Sequence, residues 1–270
     1  MKPLYIYFLT ASLACTSCSD SWLDLNPSTS VPTDQAFSSL EDAQSALNGI
    51  YRLASAHSYY GDNFFYFGDC RAADVQARMT KGDGRRVSPY YEYNVKATDS
   101  FNSSLPWNQV YKVIRQTNNL IAATESGLIK TTDEAALNEI KAQALAMRGL
   151  ALYDLIRVFA MPYSYDNGQS LGVPIVTTVT DQSSKPARNT VAECYDQIIT
   201  DLTGSLAGLS KEKKDGCLNY WAVQGILSRV YLNKLDYPNA YKAATDVIEN
   251  SKSLYQLYTC DEYPTVWGKE

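Results

Sequence analysis

The chain has 270 residues, of which 45% are hydrophobic and 20% charged, a folding composition long enough for one large domain or two small ones. Its 24 basic and 29 acidic residues give a net charge of −5, which argues against a nucleic-acid partner. The single histidine, His57, excludes His-rich zinc sites, and no apolar run reaches the roughly 18 residues that a membrane-spanning helix needs.

The amino terminus predicts export and lipidation. An apolar stretch from Leu4 to Ala14 follows a basic residue and has the length of a signal-peptide core, which is too short to span a bilayer. Cys15 and Cys18 each follow small residues, a pattern that resembles the lipobox of bacterial lipoproteins. In that motif the cysteine is acylated and becomes the first residue of the mature protein. We assign Cys18 as the lipidated residue, with Cys15 as the alternative.

A helical scaffold is predicted after a short polar tether. Ser39, with Asp42 three residues later, is typical of a helix start, and an apolar stripe at Ala43, Leu47 and Ile50 follows it. A second capping pattern is formed by Thr190 and Glu193. The other predicted helices cover residues 107–121, 136–160 (ended by Pro162), 190–209, 218–234 and 237–250.

The last two predicted helices carry a repeat signal. Leu227, Ser228, Tyr231, Ala240 and Ala244 follow the spacing of tetratricopeptide packing positions. The small side chains allow two antiparallel helices to approach closely, and the tyrosine fills the gap beside them. The predicted fold class is therefore mainly α, with TPR-like antiparallel helix pairs and one long, irregular, loop-rich excursion at residues 58–106, which lacks sustained helical periodicity.

Six segments, in order along the chain, together resemble the SusD/RagB family of outer-membrane nutrient-uptake lipoproteins. They are the lipobox with the following SDSWLDLNP, and residues 37–51, 107–121, 142–159, 188–202 and 221–232. Two departures from the family pattern are Gln143, where glutamate is common, and Gly149, where alanine is common. Members of the family are much longer, so we expect the second half to be missing. The predicted domains are a signal peptide at 1–17, a lipidated tether at 18–34 and a partial SusD-like N-terminal helical domain at 35–270.

The resemblance implies a function and partners. The chain is expected to be lipid-anchored at the cell outer membrane and surface-exposed. There it would capture an oligosaccharide or polysaccharide and deliver it to a SusC-like TonB-dependent transporter. The resemblance implies no enzymatic activity, no cofactor and no metal. Three alternatives stay open. The same scaffold could bind a peptide or protein cargo, the chain could be an extracellular glycosidase using a pair among Asp62, Asp69 and Asp74, or the expected truncation could leave it without a function.

The excursion carries the residue types that bind sugars. Flat aromatic rings suit the apolar faces of a sugar, and Asp, Asn or Arg suit its hydroxyls. The candidate ligand-binding residues are Arg71, Asp74, Tyr90, Tyr91, Tyr93, Phe101 and Asn102. The competing interpretation places these aromatics in the core, with Phe64–Phe67 as a core strand.

Four cysteines belong to the predicted folded part, and their spacing argues against a metal site. Export permits disulfides, so the sequence leaves open whether Cys70, Cys194, Cys217 and Cys260 are bonded or are four buried free thiols.

Overall fold

A computed structural model describes residues 37–72, 76, 88–94, 106–181, 183–251, 254–255 and 257–266. The predicted class, mainly α, is confirmed, because these residues form helices and only two isolated β-bridges. The helices are α1 (Leu40–Ala54), α2 (Asn63–Arg71), α3 (Ser88–Tyr91), α4 (Trp107–Glu125), α5 (Glu134–Phe159), α6 (Val191–Ser205), α7 (Tyr220–Asn233), α8 (Tyr237–Asn250) and α9 (Tyr263–Val266). A π-helical turn at His57–Gly61 and 3₁₀ turns at Tyr163–Tyr165 and Leu206–Gly208 complete the set.

Both predicted capping boxes are confirmed. At the start of α1 the Ser39 hydroxyl accepts from the Asp42 N–H at 3.2 Å, and the Asp42 carboxylate accepts from the Ser39 N–H at 3.0 Å. Thr190 and Glu193 make the same exchange at the start of α6. The hydrogen bonds from Ser38 and Ser39 hold the pKa of Asp42 below its ordinary value. Each exchange satisfies amide groups that a helix start leaves without intrahelical partners.

Helix α5 is the centre of the scaffold. It packs along α4 on one side and α6 on the other, and α1 also contacts it. Leu155 of α5 and Ile198 of α6 are fully buried, and each such side chain contributes about 1.5–3 kcal/mol by leaving water. At Gly149 a Cβ atom would lie only 2.9 Å from the Leu202 side chain, so glycine lets α5 and α6 approach closely. The helix ends before Pro162, as predicted.

Helices α7 and α8 form the predicted antiparallel pair. The tight turn between them places Leu235 in the left-handed region, with φ of 65°. Leu227 of α7 and Ala240 of α8 are buried, as the repeat spacing predicts. Ala243, rather than Ala244, is the more buried second packing residue on α8. The small side chains at this contact give the close approach that tetratricopeptide pairs need.

The excursion is more helical than predicted. Residues 57–61, α2 and α3 are helical, so the prediction of an irregular segment is wrong for them, and Phe64–Phe67 is part of α2 rather than a strand. The reason lies in the aromatic side chains of α2, which point in several directions. Phe64 contacts Tyr59 and Tyr60, Phe67 contacts Tyr90, and Phe65 is 49% exposed. A helix with apolar residues all round shows no periodic stripe.

The four cysteines in the described residues are free thiols. Cys70 and Cys194 are buried, Cys217 is half-buried and Cys260 is exposed. Of the two alternatives that the sequence leaves open, the structure agrees with free thiols, but only two of the four are buried.

Candidate functional site

Two residues from the predicted site meet at the surface of the excursion. Arg71 is the last residue of α2, and its guanidinium carbon lies 4.7 Å from the ring centroid of Phe67 and 5.9 Å from that of Tyr93. The Tyr93 hydroxyl donates to the main-chain carbonyl of Arg71. Tyr93 has φ of 54°, and this turn after α3 brings its ring beside α2. We call Phe67, Arg71, Tyr90 and Tyr93 the Arg71 platform.

The platform has a buried support and an exposed face. Tyr90 is 2% exposed, and its ring meets Phe67 edge-on with centroids 5.6 Å apart. It therefore supports Phe67 from beneath and has little surface for direct contact with a ligand, unlike the role predicted for it. Burial raises the pKa of Tyr90, so its hydroxyl stays protonated. Tyr93 is 67% exposed and presents its ring to solvent together with the exposed Arg71.

Of the remaining predicted site residues, the structure describes one. Tyr91 is half-buried on α3. Asp74, Phe101 and Asn102 lie outside the described residues, as do Cys15 and Cys18.

A stack of aromatic rings stands at the start of the excursion. Tyr59 and Tyr60 are parallel-stacked, with centroids 4.2 Å apart and an angle of 22° between the rings. Phe64 meets both rings edge-on, and Phe65 lies 6.1 Å from Phe64. Tyr59 is fully buried, whereas Phe65 is half-exposed, so the stack runs from the core towards the surface.

The buried carboxylate of Asp154 holds this stack to α5. Its Oδ2 atom accepts from the hydroxyl of Tyr59 at 2.6 Å and also from that of Tyr60, and its Oδ1 atom pairs with Arg157 Nη2 at 2.6 Å. The Arg157 guanidinium also lies over the rings of Phe64 and Tyr153. Burial, and then the charge of Asp154, raise the pKa of Tyr59 well above its ordinary value. Sequence reasoning missed this network; the signal was an acidic residue within the apolar run of α5.

A second buried ion pair joins three helices. Arg148 of α5 forms a two-pronged contact with Asp201 of α6, at 2.8 Å from Nε and 2.7 Å from Nη2. Its Nη1 atom donates to the Asn118 side chain of α4 and to the carbonyl of Thr177, both at 2.9 Å. Each nitrogen of this guanidinium donates to a protein group in the interior, so we assign it to the fold rather than to ligand binding.

The one histidine has a partner that sequence reasoning missed. His57 Nδ1 lies 2.7 Å from the carboxylate of Asp62, so one of the three carboxylates that could serve glycoside hydrolysis is engaged. In the parts of the chain that the structure describes, no three His, Cys, Asp or Glu side chains are grouped so that they could hold a metal ion. The described helices include none whose length and apolar character would let it cross a membrane.

Comparison with known proteins decides the family. A sequence profile of the SusD-like family described as starch-binding and associating with the outer membrane matches residues 21–232. The chain belongs to the SusD-like family. A solved structure of a SusD superfamily protein from Bacteroides thetaiotaomicron shares 63% identity with this SusD-like chain at a TM-score of 0.82. That match covers 86% of this chain and 50% of the solved one.

Two further relatives agree with the assignment to the SusD-like family. A solved SusD superfamily protein from Bacteroides vulgatus is 31% identical at a TM-score of 0.79, and the match covers 86% of this chain and 52% of that one. SusD-like protein P2 of Formosa agariphila is 30% identical over 256 residues, which are 93% of this chain and 47% of P2. The chain thus spans about half the length of the SusD-like proteins that it matches.

Proposed function

We propose that this chain is a non-catalytic, glycan-binding module of the SusD-like family and that the Arg71 platform contacts the sugar. The observation that carries the proposal is the pairing of the exposed Tyr93 ring with the Arg71 guanidinium on one surface. An exposed aromatic ring suits the C–H face of a sugar, and a guanidinium offers several N–H donors to hydroxyl oxygens. The family's description as starch-binding supports the same class of ligand.

The platform is suited to reversible capture. Its aromatic support is already assembled, because Phe67 is held between Tyr90 and the Arg71 guanidinium. Preorganised contacts cost little ordering on binding. Its exposed contacts among the described residues are the Arg71 and Tyr93 side chains, and a small number of contacts gives modest affinity. Modest affinity fits a protein that must release its cargo to a transporter, and delivery to a SusC-like TonB-dependent channel is part of the proposal.

The test of this function is a pair of substitutions at the platform. Arg71→Ala and Tyr93→Ala are each expected to weaken glycan binding by about tenfold, since each removes one of the exposed contacts. Affinity electrophoresis and calorimetry with starch, laminarin and xylan would measure the change. Tyr165→Ala is the matched control, because Tyr165 is 68% exposed, as Tyr93 is, but lies on the 3₁₀ turn after α5. Unchanged binding in both platform variants would contradict the proposal.

A hydrolysis assay on the same polysaccharides separates binding from catalysis. We expect no release of reducing sugar, because the family is described by what it binds. A glycosidase needs two carboxylates on opposite sides of the scissile bond, and one of the three candidates, Asp62, is paired with His57. Release of reducing ends that depends on Asp62, Asp69 or Asp74 would overturn the non-catalytic assignment. A peptide that binds while every glycan fails would instead favour the alternative cargo.

The proposed anchor has its own test. Cys18→Ala is expected to move the protein from the membrane fraction to the soluble fraction, because a multiply acylated cysteine would be the stable link to the lipid. Cell fractionation with immunoblotting measures the distribution. Cys15→Ala serves as the control and should leave the protein in the membrane fraction. The reverse result would move the lipidation site, and the predicted end of the signal peptide, to Cys15.

A further inference from the structure

A groove between α7 and α8 has the lining of a ligand site and lies on different helices from the Arg71 platform. Its volume is about 640 Å³, within the range of ordinary ligand pockets. Its polar and aromatic lining includes Tyr220, Gln224, Tyr231, Tyr241, Asp246 and Asn250, and its apolar lining includes Leu206, Leu227 and Ala243. Tyr241 is 74% exposed, whereas the Tyr220 hydroxyl donates a hydrogen bond to Asp246. The groove therefore combines an open aromatic ring with fixed polar groups.

The floor of the groove is a connected polar network centred on Asp246. One carboxylate oxygen accepts from the Tyr220 hydroxyl at 2.8 Å and from Gln224 Nε2 at 2.9 Å. The other oxygen accepts from Asn250 Nδ2 at 2.8 Å. Burial opposes the charged form, but these three hydrogen bonds outweigh it and hold the pKa of Asp246 below its ordinary value. The carboxylate is thus ionised at neutral pH and fixed in position.

The groove continues beyond this network. A neighbouring hollow of about 430 Å³ shares Asp246 and Asn250 with it and adds Lys211 and Trp221. The Lys211 ammonium lies 4.6 Å from the ring centroid of Tyr220 and 5.1 Å from that of Trp221. Asp246 and Asn250 therefore stand at the junction of two adjoining hollows. This arrangement suits an elongated ligand better than a single compact one.

The chemistry of the lining decides the class of ligand. An apolar helix laid in the groove would remove the ionised Asp246 carboxylate from water and would offer nothing to the side-chain carbonyls of Gln224 and Asn250, which the network around Asp246 does not use, and this is costly. A ligand with many hydroxyls would donate to the carboxylate and to the side-chain carbonyls of Gln224 and Asn250, and would accept from the second N–H of Asn250 and from Lys211. Its C–H face would lie on Tyr241. We propose that the α7–α8 groove binds an oligosaccharide chain, as a second site formed by different helices from the Arg71 platform. The ligand class follows from the groove's own lining, so this site does not depend on the platform.

Calorimetry with maltoheptaose, laminarihexaose and xylohexaose tests the groove in the purified full chain. In an Arg71→Ala/Tyr93→Ala background we expect one oligosaccharide to remain bound. Adding Tyr241→Ala or Asp246→Asn should then weaken that remaining site by about tenfold. Tyr237→Ala in the same background is the matched control, because Tyr237 is also exposed on α8 but does not line the groove, and it should leave the remaining site unchanged.

The outcomes separate the two sites. If oligosaccharide binding disappears in the Arg71→Ala/Tyr93→Ala background, the proposed groove site is wrong and the platform is the binding site. The groove site is also wrong if binding persists in that background but neither groove substitution weakens it. If Tyr241→Ala alone abolishes oligosaccharide binding and the platform substitutions leave the affinity unchanged, the groove is the binding site and the platform is not. Failure of the unmodified chain to bind any of the three oligosaccharides overturns both. Circular dichroism on each variant confirms that the helices are intact.

Discussion

Replacing Arg148 by methionine is expected to destabilise the chain by about 3–5 kcal/mol, because the substitution leaves a buried carboxylate without its cation. Methionine has a similar reach but no charge, so Asp201, whose side chain is 2% exposed, would lose its two guanidinium contacts. Of the polar contacts in this network, Asp201 would keep the amide of Gln197, at 2.9 Å. The Asn118 side chain and the Thr177 carbonyl would lose a donor as well.

Urea denaturation of Arg148→Met, followed by circular dichroism, measures the loss. The double variant Arg148→Met/Asp201→Leu is expected to recover much of the stability, because removing both charges abolishes the cost of burying either one alone. Lys234→Met is the control for an exposed ion pair, because the carboxylate of its partner Asp196 is 68% exposed. This substitution should lower the free energy of unfolding by at most about 1 kcal/mol. If Arg148→Met and Lys234→Met lowered the free energy of unfolding equally, the buried pair would matter no more to stability than the exposed one.

The parts of the fold that sequence predicts well are those with local signals. The capping boxes at Ser39 and Thr190 require only residues three positions apart, and both are present. The end of α5 before Pro162 is likewise set by the chain itself. Helix α2 lacks such a signal because its aromatic side chains contact partners on several sides, and tertiary contacts rather than a stripe decide its conformation.

The candidate site shows where sequence reasoning ends. The sequence identifies residue types that suit sugar binding, and two of the chosen residues, Arg71 and Tyr93, are in contact. They are 22 residues apart, however, and their contact depends on the turn at Tyr93, which the sequence does not predict. The residues next to Tyr90 in the sequence do not indicate that its side chain is buried. Arg148 and Asp201 are 53 residues apart, and nothing local to either identifies the other. Pairings of this kind come from helix packing, which single-sequence patterns do not encode.

The network at Asp154 links the scaffold to the candidate site, and its loss is expected to affect both. Asp154→Ala should cost about 3 kcal/mol, because it leaves the hydroxyls of Tyr59 and Tyr60 without their buried acceptor and Arg157 without its partner. Arg157 is 30% exposed, so part of its charge can turn to water, which limits the loss. Asp154→Asn keeps one acceptor for the hydroxyls, so its stability should fall between those of the unmodified chain and Asp154→Ala.

The functional consequence distinguishes this network from a purely structural core contact. Residues 57–71 contain the tyrosines held by Asp154, and they end at Arg71 of the platform. In Asp154→Ala, hydrogen exchange should increase most in residues 57–71, and glycan affinity should fall even though Asp154 is buried and is not a residue of the Arg71 platform. Ile198→Ala is a suitable control, since it lowers stability by about 2–5 kcal/mol from within the α6 contact without touching the tyrosines. The two variants are compared under conditions where their free energies of unfolding are equal. If hydrogen exchange in residues 57–71 then increases as much in Ile198→Ala as in Asp154→Ala, the Asp154 network does not specifically position the platform.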